Sequence, residues 1–189
     1  MADLPFSCRC GAVAGTLASA PQRDTRVICH CADCRGFVRA TSGRDPGADG
    51  VGIVQTAPES LRIDRGAEHL RALKMSPKSG FVRWYADCCG TPLAGMPRRQ
   101  AVPFVGLLTD TIADPAPLGR VLARGFLPPK EPGGRQRHEG LGTMAMRMIR
   151  RGAASRFSGR WRESPFLEGG QLRSAPRPLT PEERAAAYS

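Results

Sequence analysis

No long hydrophobic run occurs in this sequence. The longest apolar stretch covers about eight residues, Ala101 to Leu108, where a bilayer-crossing helix needs roughly 20. The first residues, Met-Ala-Asp-Leu-Pro-Phe, carry neither a basic region nor an apolar core, so they do not read as a secretory signal. The expected compartment is therefore a reducing cytoplasm, in which disulfides do not persist. Lysine is scarce: of the 28 Lys and Arg residues only those at 74, 78 and 130 are Lys. No internal repeat is visible, and no βαβ pattern that would point to a parallel sheet. Gly (22) and Pro (17) stay below the share that marks low-complexity chains, yet suit a loop-rich β fold. At 189 residues the chain is one domain, or one domain with an appendage.

What is present in excess is arginine, and with 17 acids the formal charge is +11. The planar guanidinium fork matches phosphate and carboxylate, so nucleic acid is one expected partner. The spread of Arg along most of the chain, instead of in one run, favours the plainer reading of a solvated surface. Arg135 to Arg177 is the densest part, with ten Arg against three Glu. Such a field also steers small anionic substrates inward.

Short apolar segments separated by Gly or Pro predict strands over 51–56, 60–64, 69–75, 80–86 and 101–108, after a strand or hairpin start in 5–20. Cys34 to Thr41 reads as one or two helical turns, and 42–50 as a loop. A short helix over 115–124, ended by Gly125, precedes a Pro/Gly linker over 126–137. Leu141, Met144 and Met148 share one face of a helix over 139–152, expected to pack back on the core. Thr180-Pro181-Glu182-Glu183 supplies an N-cap, a first-turn Pro and an N3 Glu for a terminal helix.

The seven cysteines all precede residue 90, in three clusters: Cys8-Arg9-Cys10-Gly11, Cys29-His30-Cys31-Ala32-Asp33-Cys34-Arg35 and Cys88-Cys89-Gly90-Thr91. An odd number cannot pair completely within one chain, so metal or catalysis is the better reading. Cysteines one residue apart share a face of an extended segment. Cysteines three positions apart meet around a tight knuckle, and Zn²⁺ takes thiolates at roughly 2.3 Å in a tetrahedron. The simplest division is a closed structural site (Cys8, Cys10, Cys88, Cys89) and an open one (Cys29, Cys31, Cys34), the open corner being what a catalytic zinc keeps.

The order C-x-C-G, C-H-C-x-x-C-R and C-G-T resembles the glutathione-dependent formaldehyde-activating enzyme family, which also includes centromere protein V. The resemblance covers roughly residues 5–110, and the triplet is its most specific part. It implies a mainly β, Mss4-like fold of two antiparallel sheets set like a tent, holding two zinc ions. Here that domain would span 1–127, with 128–189 a basic Pro/Gly linker and helical extension. By the resemblance, Cys8 and Cys10 join a later pair in a structural zinc, and Cys29, Cys31 and Cys34 hold a catalytic one. The implied reaction is carbon–sulfur lyase chemistry on a small thiol such as glutathione and an aldehyde, the adduct being S-hydroxymethylglutathione. The alternative is a non-catalytic zinc-stabilised scaffold that contacts nucleic acid through its basic extension. One position departs from the family: the usual C-x-x-C before G-T reads Ala86-Asp87-Cys88-Cys89. Either Cys88 substitutes, which requires the backbone to turn there, or Asp87 or a more distant group completes three thiolates. A vicinal disulfide would be strained.

Proton transfer would fall to His30 and Asp33, the local acid/base candidates. Their bland alternatives are a buried or solvated His30 and a helix-capping Asp33. Arg35 and Arg39, four apart on the helix, are candidates for a substrate carboxylate. His69 and His138 read as surface residues, and Trp84 and Tyr85 as core.

Overall fold

Alternation of side chains along short strands decides the architecture. The structure, a computed structural model, describes residues 2–99, 102–131 and 133–189. The chain begins with β1 (Ala2–Ser7), β2 (Ala14–Ser19) and β3 (Thr25–Cys29), then α1 (Ala32–Ser42). There follow β4 (Val51–Thr56), β5 (Leu61–Arg65), β6 (Leu70–Lys74), β7 (Phe81–Ala86), β8 (Thr91–Pro97) and β9 (Val105–Leu108). The remainder holds β10 (Ala123–Leu127), β11 (Arg137–Glu139), α2 (Leu141–Ser158), β12 (Leu167–Glu168), β13 (Gln171–Leu172), β14 (Arg177–Pro178) and α3 (Pro181–Tyr188).

The strands form a three-stranded sheet, β1-β2-β5, a nine-stranded sheet, β11-β10-β3-β4-β9-β8-β7-β6-β14, and the small pair β12-β13. The fold is mainly β, as expected, but the large sheet is mixed. β10 runs parallel to β3 and β14 parallel to β6, because both arrive by connections too long to be hairpins.

β4, β6 and β9 of the large sheet send residues from opposite faces to two cores. Val54, Leu70, Val82, Trp84 and Leu107 point to one core, shared with Leu4, Phe6 and Leu17 of the small sheet and with Phe166. Val51, Leu73 and Leu108 point to the other, closed by Phe37 and Val38 of α1 and by Leu179 and Ala187 at α3. Trp84 is fully buried and stacks on Phe166 at 4.9 Å between ring centroids. Residues beyond 127 therefore supply edge strands and core side chains to the same two layers.

Several sequence expectations need correction. The strand read over 101–108 is only Val105–Leu108, and residue 101 lies outside the described residues. The helix expected over 115–124 is a single 3-10 turn, Ala116–Leu118, ended by Gly119 at φ 75°. Residues 123–125 instead pair with Val27–Cys29, so sheet hydrogen bonding overrides a weak local helix signal. The 126–137 linker is bracketed by β10 and β11, which pair with each other. Residue 132 within it is outside the described residues. β8 was missed altogether, its Gly and Pro content masking a strand buried on both faces.

The helix expected over 139–152 is longer and turned differently. Leu141 and Met148 are exposed, and Ile149 and Phe157 more so. The inward side is polar: Arg151 and Ser155 are buried. Arg147 donates to the carbonyls of Pro21 and Asp24, Arg151 to that of Arg23, and Ser155 to Glu59. The terminal helix starts as expected. Thr180 accepts from the Glu183 N–H while the Glu183 carboxylate accepts from Thr180 N–H.

Candidate metal centres

Two loops bring the first cluster together. Between β1 and β2, Cys8 N–H donates to Val13 O and Gly11, at φ 77°, turns the chain. Val13 N–H in turn donates to Cys8 Sγ at 3.2 Å. Across from it, the β7–β8 turn closes with Gly90 N–H on Ala86 O. Gly90 has φ 68°, and a Cβ there would lie 2.1 Å from the Thr41 carbonyl oxygen. This turn lets adjacent cysteines face the same point. Cys8, Cys10, Cys88 and Cys89 place their sulfurs within 4.8 Å of one another. The separations are 3.5 Å for Cys8–Cys10, 3.8 Å for Cys8–Cys88, 3.4 Å for Cys10–Cys88 and 3.9 Å for Cys88–Cys89. A tetrahedron with Zn–S bonds of roughly 2.3 Å has edges of about 3.8 Å. Asp87, the other candidate ligand, is engaged elsewhere, with His69 at 3.0 Å and Arg71 at 2.8 Å.

The second cluster sits where β3 ends and α1 begins. Cys29 is the last residue of β3. Cys31 is the N-cap of α1, its sulfur accepting from Cys34 N–H at 3.3 Å. Cys34 lies in the first turn and is buried. The three sulfurs lie within 4.8 Å of one another, and among the described residues no fourth Cys, His, Asp or Glu joins them. The thiols share their protons unequally. Cys29 and then Cys31 donate toward Cys34, and with the Arg83 guanidinium they hold it well below its ordinary value despite burial. Cys29 is pushed up in consequence. Both sets of sulfurs therefore fit a soft divalent ion such as zinc by donor type and spacing.

A cleft of about 810 Å³ opens on the triplet. Its walls hold Asp33, Arg83, Phe104, Phe126, His138 and Met144, among others. Arg83 is 8% exposed. It lies 4.9 Å from the centroid of Phe81 and 5.7 Å from that of Phe37, and its Nη2 donates to Cys34 Sγ at 3.6 Å. Its Nε is buried with no hydrogen-bond partner. Gly95 leaves it room, since a Cβ there would meet Nη1 at 3.0 Å. Phe126 has φ 57° at a bulge between β10 and β11, a strained conformation for an aromatic residue. Its N–H donates to His138 Nδ1 at 3.2 Å, which leaves the proton of the neutral ring on Nε2.

The sequence-stated acid/base pair separates. Asp33 lines the cleft and accepts a hydrogen bond from the Tyr188 hydroxyl. His30 is not in the cleft wall. Its ring packs on Gly50, where a Cβ would lie 2.9 Å from Nδ1, and its buried Nε2 has no partner. Arg35 and Arg39 both turn to Asp45. The sequence reading missed Arg83, His138 and Tyr188. Arg83 had a signal, a charge within an otherwise apolar strand. The other two come from distant segments and had none.

No curated protein matches this chain. Among solved structures, a crystal structure of a Rhodobacter sphaeroides protein is 23% identical, with a TM-score of 0.44, over 65% of this chain and 99% of its own. Residues 1–172 match a family model, and the chain belongs to that family, described as a family of unknown function (DUF6151).

Proposed function

We propose that the protein is a zinc-dependent carbon–sulfur lyase acting on a thiol–aldehyde adduct of the S-hydroxymethylglutathione type. The reading includes membership of the Mss4-like, formaldehyde-activating branch that its cysteine motifs resemble. The observation that carries it is the convergence of Cys29, Cys31 and Cys34 on one wall of a cleft, with three sulfurs where a tetrahedral ion takes four ligands. Bound there, zinc would take up a thiol sulfur and favour its thiolate form.

The chain's own residues do the rest. In the breakdown direction a base removes the adduct hydroxyl proton, the C=O bond forms, the C–S bond breaks and sulfur leaves with the electron pair. Asp33, in the wall and held by Tyr188, is placed to accept that proton. His138, whose fixed tautomer presents Nε2–H, serves as a hydrogen-bond donor to the adduct oxygen and not as the base. Arg83 offsets the negative charge that gathers on the thiolates, and its open Nε suits an anionic part of the substrate.

The test is nuclear magnetic resonance of glutathione and formaldehyde mixed with the zinc-loaded protein. Faster exchange between adduct and free thiol, lost in Cys31→Ser and reduced in Asp33→Asn, supports the reading. An exchange rate equal to the uncatalysed one, with both metal sites filled, overturns it in favour of a zinc-stabilised scaffold.

A further inference from the structure

We infer that the groove between α2 and the β2–β3 turn binds a ligand carrying two linked phosphates. The groove encloses about 1110 Å³ and follows α2 from Gly142 to Ser158, a path of about 24 Å at 1.5 Å per residue. Five guanidiniums line it: Arg147, Arg150 and Arg151 on α2, Arg23 on the turn and Arg160 beyond the helix. Two acids, Asp24 and Glu59, share the wall, and Glu163 pairs Arg160, which leaves a surplus of two positive charges. A single carboxylate matches that surplus poorly. A diphosphate matches it in sign and multiplicity.

Arg151 is the anchor. The residue is 6% exposed. Its Nη1 donates to Arg23 O at 2.5 Å and Thr25 Oγ1 at 3.3 Å. Its Nε and Nη2 lie buried without a hydrogen-bond partner. Those two N–H groups form the edge of the guanidinium that grips a pair of anionic oxygens side by side. Leaving such donors unmet costs free energy that an anion recovers. Asp24 does not meet them. Its oxygens accept from Ala20 N–H and from the hydroxyls of Thr56 and Ser19. Arg147 is pinned to the backbone carbonyls of the turn. Exposed Arg150 stands at the rim for the second phosphate, next to Arg160, which is paired with Glu163 at 3.2 Å. The inference stands apart from the lyase reading, because Leu141 and Met144 of α2 face the cysteine cleft instead.

The test is calorimetric titration of the full-length, zinc-loaded protein with inorganic pyrophosphate and with ADP. Saturable binding of either is expected, tighter ADP binding indicating a nucleotide source and tighter pyrophosphate binding an inorganic one. Arg151→Lys keeps the charge but lacks the side-by-side edge, and should weaken binding at least about tenfold. Arg150→Gln, on the surface and without a role in the fold, should weaken binding and flatten its salt dependence. Binding should survive in Cys31→Ser, which separates this groove from the metal cleft. The inference is overturned if neither probe binds, if both arginine variants bind as the parent does, if Cys31→Ser abolishes binding, or if only a short single-stranded DNA binds.

Discussion

At the scale of single residues, buried charge is handled in contrasting ways. Cys34 is stabilised as a thiolate by the thiols of its own cluster and by Arg83. Asp24 is the opposite case. Burial raises its pKa above the ordinary 3.8, against the pull of Ala20 N–H, the Thr56 hydroxyl and Arg151. A carboxyl with a raised folded pKa binds more protons in the folded than in the unfolded state. Its contribution is complete below 3.8 and is lost as pH rises through the raised value. Asp24→Asn removes this titration. Urea unfolding of parent and variant between acidic and neutral pH should show the parent's relative stability falling as pH rises. A constant difference across that range would contradict the assignment.

At the scale of elements, the metal centres depend on turns and helix ends. The β7–β8 turn faces two adjacent cysteines the same way, and Gly90 packs it against the end of α1. Gly90→Ala combines a positive φ with a clash on the Thr41 carbonyl, and should cost about 1–3 kcal/mol. It should also loosen the four-cysteine site. Denaturant titration with zinc analysis reads both effects. An unchanged midpoint and metal content would refute the role given to this turn.

The same elements show what the sequence made legible. Cys29, Cys31 and Cys34 were readable because strand and helix-start geometry act within six residues. The four-cysteine grouping was readable from thiol chemistry. The choice of Cys88 over Asp87 was not, because it depends on His69 and Arg71 drawing Asp87 away. Residues 115–124 were misread because their strand partner lies almost a hundred positions earlier. The inward face of α2 was misread because hydrophobic spacing says nothing of arginines that cap the carbonyls of a turn. Across the whole chain, no described helix is long and apolar enough to cross a membrane.

At the scale of the whole molecule, the later part of the chain helps to build the core. Phe166 is 1% exposed and stacks on Trp84 in the larger core. Phe166→Ala should destabilise the protein by about 3–5 kcal/mol. A loss below about 1 kcal/mol would mean that residues past 127 lie on the core without completing it. The two cysteine groups lie at the same ends of the large sheet's strands but share no ligand, so each should bind its ion independently. Mass spectrometry of the native protein tests that most directly. It should give two zinc ions per chain, one in Cys31→Ser and one in Cys88→Ser. A single ion or none in the parent, or two retained in Cys31→Ser, would contradict the account.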